Sequence, residues 1–167
     1  MEEDQGKIKR PKLLSRLEYD RWYKKLPANV CTFCNLDKYQ LILKEFEHWV
    51  WIANLAPYWK YHTMIVSKRH FEKYSDMTFV EAGELVSVID YGEKKMLEAK
   101  LTRDDGGLIE KVVYFWRFRL NRFDRISGTV RPAHFHLHLT PDKDHLWDKV
   151  IDKDAHKWDI NILKKEG

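Results

Sequence analysis

Apolar and polar positions change their period along this chain, and each change marks an element. Between residues 11 and 26, Leu13, Leu14, Leu17, Tyr19 and Trp22 lean to one side of a helix, with Pro11 suited to its first turn and Pro27 ending it. Residues 41–43 and 46–55 are rich in β-branched and aromatic side chains, which predicts strand up to the break at Pro57. Residues 61–66 predict a second strand, antiparallel to the first. Thr78 and Glu81 stand at capping-box spacing, and behind them Ala82, Leu85, Val86, Ile89, Met96 and Leu97 recur on one face. That pattern predicts the longest helix, over 79–101, before a turn at 104–107. Over 111–121, Phe115, Arg117 and Arg119 alternate with Trp116, Phe118 and Leu120, which predicts another strand. A loop over 124–132 leads to a last core strand at 134–139, stopped by Pro141. Residues 143–167 are charged but carry Leu146, Trp147, Val150, Ile151, Trp158, Ile160 and Leu163, the pattern of a docked, partly helical tail. Strands close in sequence with one long helix between them predict an α+β domain built on an antiparallel sheet.

Composition narrows the classes. A length of 167 residues suits one domain with extensions. The balance of 30 basic and 26 acidic residues is too even for a dedicated nucleic-acid binder, while its slight excess suits an anionic small substrate. Residues 1–10 are polar and lack the apolar core of a signal peptide, and no apolar run has the length of a membrane span. The expectation is a soluble, cytoplasmic protein. Cys31 and Cys34 are the only cysteines, so a disulfide framework is excluded and their C-x-x-C spacing favours metal or redox chemistry. A redox motif belongs at the start of a helix after a strand, whereas this one precedes the first predicted strand, which favours zinc. Two further ligands would have to be histidines, and spacing does not choose among the eight available.

The densest chemistry is His134-Phe135-His136-Leu137-His138. On a strand, alternate side chains share a face, so the three imidazoles would lie together while Phe135 and Leu137 pack the other side. Imidazole serves as nucleophile, acid/base or metal ligand near neutral pH.

Together these pieces resemble the histidine triad (HIT) family. His-x-His-x-His with apolar residues between is that family's signature, and Thr140 stands where a further apolar residue is common. The upstream strand and proline loop (Ile52 to Pro57), the histidine opening the next strand (His62) and the Lys68-Arg69-His70 run also match. Cys31-Thr32-Phe33-Cys34 resembles the start of the zinc-containing branch. The resemblance covers roughly residues 30–141 and implies a HIT-like domain over 28–142, to which the residue pattern adds a charged segment and amphipathic helix over 1–27 and a docked tail over 143–167.

The resemblance implies the following roles. His136 would be the nucleophile, attacking the α-phosphorus of a nucleotide ester, anhydride or phosphoramidate to form a nucleotidyl-histidine, with His138 and His62 completing the catalytic set. Cys31, Cys34, His70 and His134 would hold a structural zinc ion. Phe33, Leu36, Ile52 and Leu55 would line the base pocket, Asn54 would grip the ribose, and Asn121 and Arg131 would lie on the phosphate side. A homodimer is implied as well. Two positions depart from the family pattern. Arg131 stands where a small hydroxyl residue is usual, and Tyr61 occupies a position where glycine is common. The first departure motivates an alternative, a nucleotide-binding protein with little turnover. A catalytic zinc held by His134, His136 and His138 together, and a single-stranded RNA module using the Arg-rich strand, are further alternatives.

Overall fold

A computed structural model of the chain describes residues 11–116, 133–141 and 152–165. Five strands, β1 (Leu41–Glu45), β2 (Trp49–Ala53), β3 (Thr63–Ser67), β4 (Val112–Phe115) and β5 (His136–Pro141), form one antiparallel sheet in the order β1-β2-β3-β5-β4. Helix α1 (Arg16–Tyr23) precedes the sheet, and a single turn, α2 (Leu36–Tyr39), follows the cysteine pair. The long helix α3 (Phe79–Glu98) crosses one face, and α4 (Asn161–Lys164) lies in the C-terminal segment. The α+β class, the antiparallel sheet and the single long helix are as the sequence pattern predicts.

Strand alternation divides the buried residues between two faces. Trp49, Trp51, Ile65, Phe135, Leu137 and Leu139 meet Val88 and Met96 of α3 in the main core. Burying side chains of this size stabilises the fold by about 1.5–3 kcal/mol each before entropy is counted. Val50, Ile52, Met64 and Val66 point the other way and form a second cluster with Cys31 and Phe33. The register pairs Met64 with His138 and Val66 with His136, so the histidines of β5 stand on this second face. Gly92 lets α3 approach closely, since a Cβ there would lie 2.7 Å from Leu139 Cδ2 in the packed core.

Local competition for backbone donors sets several boundaries away from the expected ones. The first helix begins after Ser15, not at Pro11, because Ser15 and Glu18 form a reciprocal capping box while Leu14 N–H donates to Leu55 O at 2.7 Å. The predicted strand over 46–55 is confined to β2. The Glu84 carboxylate of α3 accepts the Glu47 and His48 backbone N–H groups at 2.9 and 2.6 Å, which holds them in a turn. Pro141 does not stop β5 but is its last residue, opposite Val112, at a strand end where a missing N–H is tolerated. The helix expected to reach residue 101 ends at Glu98, with Lys100 in the left-handed region at φ 50°. The short helix α2 has no apolar period long enough to announce it. Leu163 is buried, and Trp158 and Ile162 pack against the main core, so the described part of the C-terminal segment is docked. Arg117, Arg119, the loop over 124–132 and residues 143–151 lie outside the described residues.

The capping box on α3 does more than start a helix. Buried Glu81 accepts the Thr78 backbone N–H at 2.8 Å and is gripped by Arg69 through Nε at 2.7 Å and Nη2 at 2.8 Å. The Arg69 hydrogen bonds, helped by those of Thr78, hold the Glu81 carboxyl down at about 2, below its ordinary 4.5. A carboxyl depressed in the folded state adds stability above its unfolded value and loses it as pH falls through the folded value. Wild type is therefore expected to exceed Glu81→Gln in unfolding free energy by about 2–3 kcal/mol at pH 6, with most of that difference gone near pH 2. Urea titrations of both proteins across this range provide the check; a difference independent of pH would contradict it.

Candidate active site and metal centre

The segment before β5 and the first residues of the strand carry two centres side by side. His134, fully buried, precedes the strand, and its Nε2–H donates to Ser67 O at 2.7 Å, with Ser67 Oγ at 3.1 Å. That contact fixes the tautomer and leaves the lone pair on Nδ1. His134 Nδ1 lies 3.4 Å from Cys31 Sγ, 3.5 Å from Cys34 Sγ and 3.1 Å from His70 Nδ1. Cys34 Sγ and His70 Nδ1 are 3.1 Å apart, and all four ligand atoms fall within 4.8 Å of one another.

These spacings fit a small tetrahedral ion. Ligand atoms about 2.0–2.3 Å from such an ion lie roughly 3.3–3.8 Å from each other. Burial pulls the His134 imidazole down to about 4, so it stays in the neutral form that ligates. Burial, together with hydrogen bonding to Cys31, holds the Cys34 thiol up at about 11, a penalty that a cation among the ligands would reverse. The donor set of two thiols and two imidazoles is compatible with zinc, and Ser67 supplies the outer hydrogen bond that orients one ligand. Four protein ligands would close the coordination shell of such an ion. Among the described residues, the other group of close metal-capable side chains is Glu47, His48 and Glu84, whose Glu84 carboxylate already caps the turn before β2.

The second centre is a relay of three imidazoles. His136 Nδ1–H donates to His134 O at 2.8 Å, so the neutral ring carries its lone pair on Nε2. Tyr58 N–H can only donate, and it does so to His62 Nδ1 at 3.1 Å. His62 is therefore protonated on Nε2, which donates to His138 Nδ1 at 2.8 Å, and neutral His138 in turn carries its proton on Nε2. The His136 and His138 rings are 5.1 Å apart at 73°. One lone pair and one proton are thus set on neighbouring imidazoles, both buried. Phe115 of β4 stacks on His138 at 4.9 Å and 15°, and Tyr58 stacks at 5.8 Å and 27°. Phe33 joins the two centres, with its ring 5.8 Å from that of His134 and 5.1 Å from that of His136.

Of the residues expected at the base pocket, Phe33, Ile52 and Leu36 belong to the cluster on this same face, while Leu55 lies in the loop after β2. Phe33, Ile52 and Leu55 are buried, while half-buried Leu36 packs against the cluster that holds Phe33 and Ile52. Asn54 Oδ1 accepts Ala56 N–H at 3.0 Å, which turns its Nδ2 toward His62, 3.3 Å from both ring nitrogens. Asn121 and Arg131 lie outside the described residues. His134, His136 and His138 do not converge on one metal: His134 belongs to the cysteine cluster, and neither metal-capable group includes His136 or His138. Sequence reasoning did not single out Ser67, Tyr58 or Phe115 for this site. Phe115 had a legible signal in strand alternation. The Tyr58 backbone N–H had none, because its role depends only on where the chain folds.

No family model and no curated protein matches the chain in sequence. Solved structures do match it in shape. A zinc-bound histidine triad family protein from Mycobacterium smegmatis superposes with TM-score 0.54 at 17% identity, over 83% of this chain and 93% of its own. A HIT family protein from Bacillus anthracis gives TM-score 0.54 at 20% identity, over 83% of this chain and 92% of its own. An ADP-glucose phosphorylase from Arabidopsis thaliana, solved with ADP-glucose bound, gives TM-score 0.57 at 13% identity, over 89% of this chain but 46% of its own. The chain has the histidine triad fold. Within that fold, its Cys31–Cys34–His70–His134 cluster is compatible with a zinc ion. Among the described residues, no helix is long and apolar enough to cross a membrane.

Proposed function

We propose that this protein binds a nucleotide or nucleotide conjugate and cleaves or transfers it at the α-phosphate, with His136 as the nucleophile. The observation that carries the reading is the fixed tautomer of His136, set by the 2.8 Å bond from Nδ1 to His134 O beside the His62–His138 pair. His136 Nε2 attacks phosphorus, the bond to the leaving group breaks, and the nucleotidyl group is held on Nε2. The ring then carries positive charge, which the His134 carbonyl stabilises through Nδ1–H. The Nε2–H of His138 hydrogen-bonds to a phosphoryl oxygen and stabilises the charge that develops there, with His62 fixing the ring, while the leaving group takes its proton from solvent. Water or another acceptor then attacks phosphorus, the P–N bond breaks, the attacking oxygen loses its proton to solvent, and neutral His136 returns.

In this reading Leu36 offers surface to the base, with Phe33 in the cluster beneath it and fully buried Ile52 supporting that cluster, and Leu55 is the fourth residue assigned to the base. Asn54 orients His62, and the second lone pair on its Oδ1 is the contact available to a ribose hydroxyl. Asn121 and Arg131 complete the phosphate side. The zinc ion would be structural, held by Cys31, Cys34, His70 and His134, and would pin the segment entering β5 two residues before the nucleophile. A homodimer belongs to the same reading. The nucleotide partner in this reading is supported by the histidine triad proteins and the sugar-nucleotide enzyme that share the fold.

The test is a panel of dinucleoside polyphosphates, nucleoside phosphoramidates and sugar nucleotides, read by nucleotide release and by intact mass. The expected result is turnover of at least one class, with a nucleotidyl adduct on the peptide containing His136 after acid-free rapid quench. Binding of nucleotide with no release and no adduct across the panel would replace this reading with that of a nucleotide-binding protein.

A further inference from the structure

The loop from Asn54 to His62 delivers one imidazole of the relay and the stacked ring of Tyr58, yet it has little regular structure of its own. Tyr61, the residue before His62, is in the left-handed region at φ 67°. A bulky side chain holds that conformation only when its surroundings over-determine it. Here the surroundings come from the two ends of the chain.

From one side, α1 reaches the loop. Leu14 N–H donates to Leu55 O at 2.7 Å, and Arg16 Nη2 donates to Ala56 O at 3.2 Å. The Arg16 guanidinium also lies 5.6 Å from the centre of the Tyr58 ring and 5.8 Å from that of Tyr19. From the other side, Asp152 N–H donates to Tyr58 O at 2.9 Å. Trp158 meets the Tyr61 ring edge-on at 5.4 Å and 65°, and Tyr61 Oη donates to Thr102 O at 3.3 Å. Trp158 and Tyr61 are themselves packed on the main core.

We propose that α1 and the C-terminal segment form a two-sided clamp on this loop, with Arg16 and Trp158 as positioning residues that hold Tyr58 and His62 against His138. Arg16 sets the Tyr58 ring, whose backbone N–H fixes the His62 tautomer. Trp158 sets Tyr61, whose strained backbone aims His62 at His138 across 2.8 Å. The contacts of the clamp described above lie on the loop and not on the cysteine cluster. The clamp governs the orientation of the His138 donor, not metal binding or base recognition. Its catalytic consequence rests on the function proposed above, whereas its effect on the His62–His138 bond does not.

The experiment compares zinc-loaded wild type with Arg16→Ala, Trp158→Ala and Trp158→Phe, all of full length. Two readouts are taken. The first is long-range proton–nitrogen NMR of the imidazoles, in which wild type is expected to show His62 protonated on Nε2 and bare on Nδ1. The second is kcat and KM on a turned-over substrate. Both alanine variants are expected to lose the single His62 tautomer and to drop in kcat by about tenfold or more, with KM within about twofold, as follows when a reacting group drifts by a fraction of an ångström. Trp158→Phe is expected to recover most of both losses, since Trp158 Nε1 has no hydrogen-bond partner among the described residues and the ring contact is what matters. None of the residues of α1 is buried, so Arg16→Ala should fold. An unchanged His62 tautomer in both alanine variants overturns the clamp. So does a kcat loss without a tautomer change, or a Trp158→Phe variant as damaged as Trp158→Ala. If wild type turns over no substrate while the alanine variants still lose the tautomer, the proposed activity fails and the clamp stands.

Discussion

His136→Ala is expected to lower nucleotide release by roughly 10³–10⁵-fold, the scale on which removal of a covalent nucleophile is felt. The size of the effect follows from what that imidazole alone supplies. His138 and His62 are bonded to each other, and in neutral His138 the proton sits on Nε2, so His138 presents a donor where an attacking lone pair is needed. His136 presents the lone pair, because its Nδ1–H is held by the His134 carbonyl. Its neighbour therefore cannot replace it without breaking two hydrogen bonds. Tm and zinc content are expected to stay near the wild-type values, since the four grouped ligand atoms come from other residues and His136 is not part of either apolar cluster. A His136→Gly variant supplied with free imidazole should regain part of the lost rate. Steady-state release from the best substrate of the panel measures all three proteins, and a His136→Ala rate within about threefold of wild type would remove His136 from the mechanism.

Loss of the metal is expected to act on the fold first and on activity second. Cys31 and Cys34 reach the centre from the segment before α2, His70 from the loop after β3, and His134 from the approach to β5. A zinc ion there would tie three distant stretches together on the edge of the second cluster. Without it, two imidazole nitrogens 3.1 Å apart and two thiols would face each other with no cation between them. Cys31→Ser is expected to cost about 3–5 kcal/mol of unfolding free energy, and prolonged treatment with a strong chelator should have a similar effect. His136-dependent turnover should decay only as fast as the protein unfolds. Thermal melts and activity followed side by side during chelation distinguish this from a catalytic ion: immediate loss of activity with an unchanged melt would assign the metal a chemical role.

Much of this molecule is legible in the order of its residues. The capping box at Thr78 and Glu81 announces α3, and the alternation of β5 puts Phe135 and Leu137 in the core opposite the histidines, because both patterns depend on residues within one or two turns of each other. The Cys31–Cys34 spacing announces a paired metal ligand. Boundaries are less legible. The beginning of β2 depends on Glu84, a residue 36 positions away from His48, and no local pattern records that contact. α2 is a single turn, too short to show a period.

The site divides in the same way. By themselves the residues leave eight histidines as possible partners of the cysteines and make the three of His134 to His138 equivalent. Only the pairing of β3 with β5 distinguishes them: it sets His70 and His134 beside the cysteines and brings His62 to His138. Asn54, expected at a ribose, is in addition turned onto His62 by the Ala56 backbone. The sequence by itself determined which faces are apolar, where α3 starts and which side chains can do chemistry, since side-chain type and short-range periodicity are local properties. The tertiary structure decided which nitrogen of each imidazole holds a proton and which ends of the chain press on the loop before His62. Those outcomes rest on hydrogen bonds between residues as far apart as His62 and His138, 76 positions along the chain. Only the register of a folded sheet sets such distances.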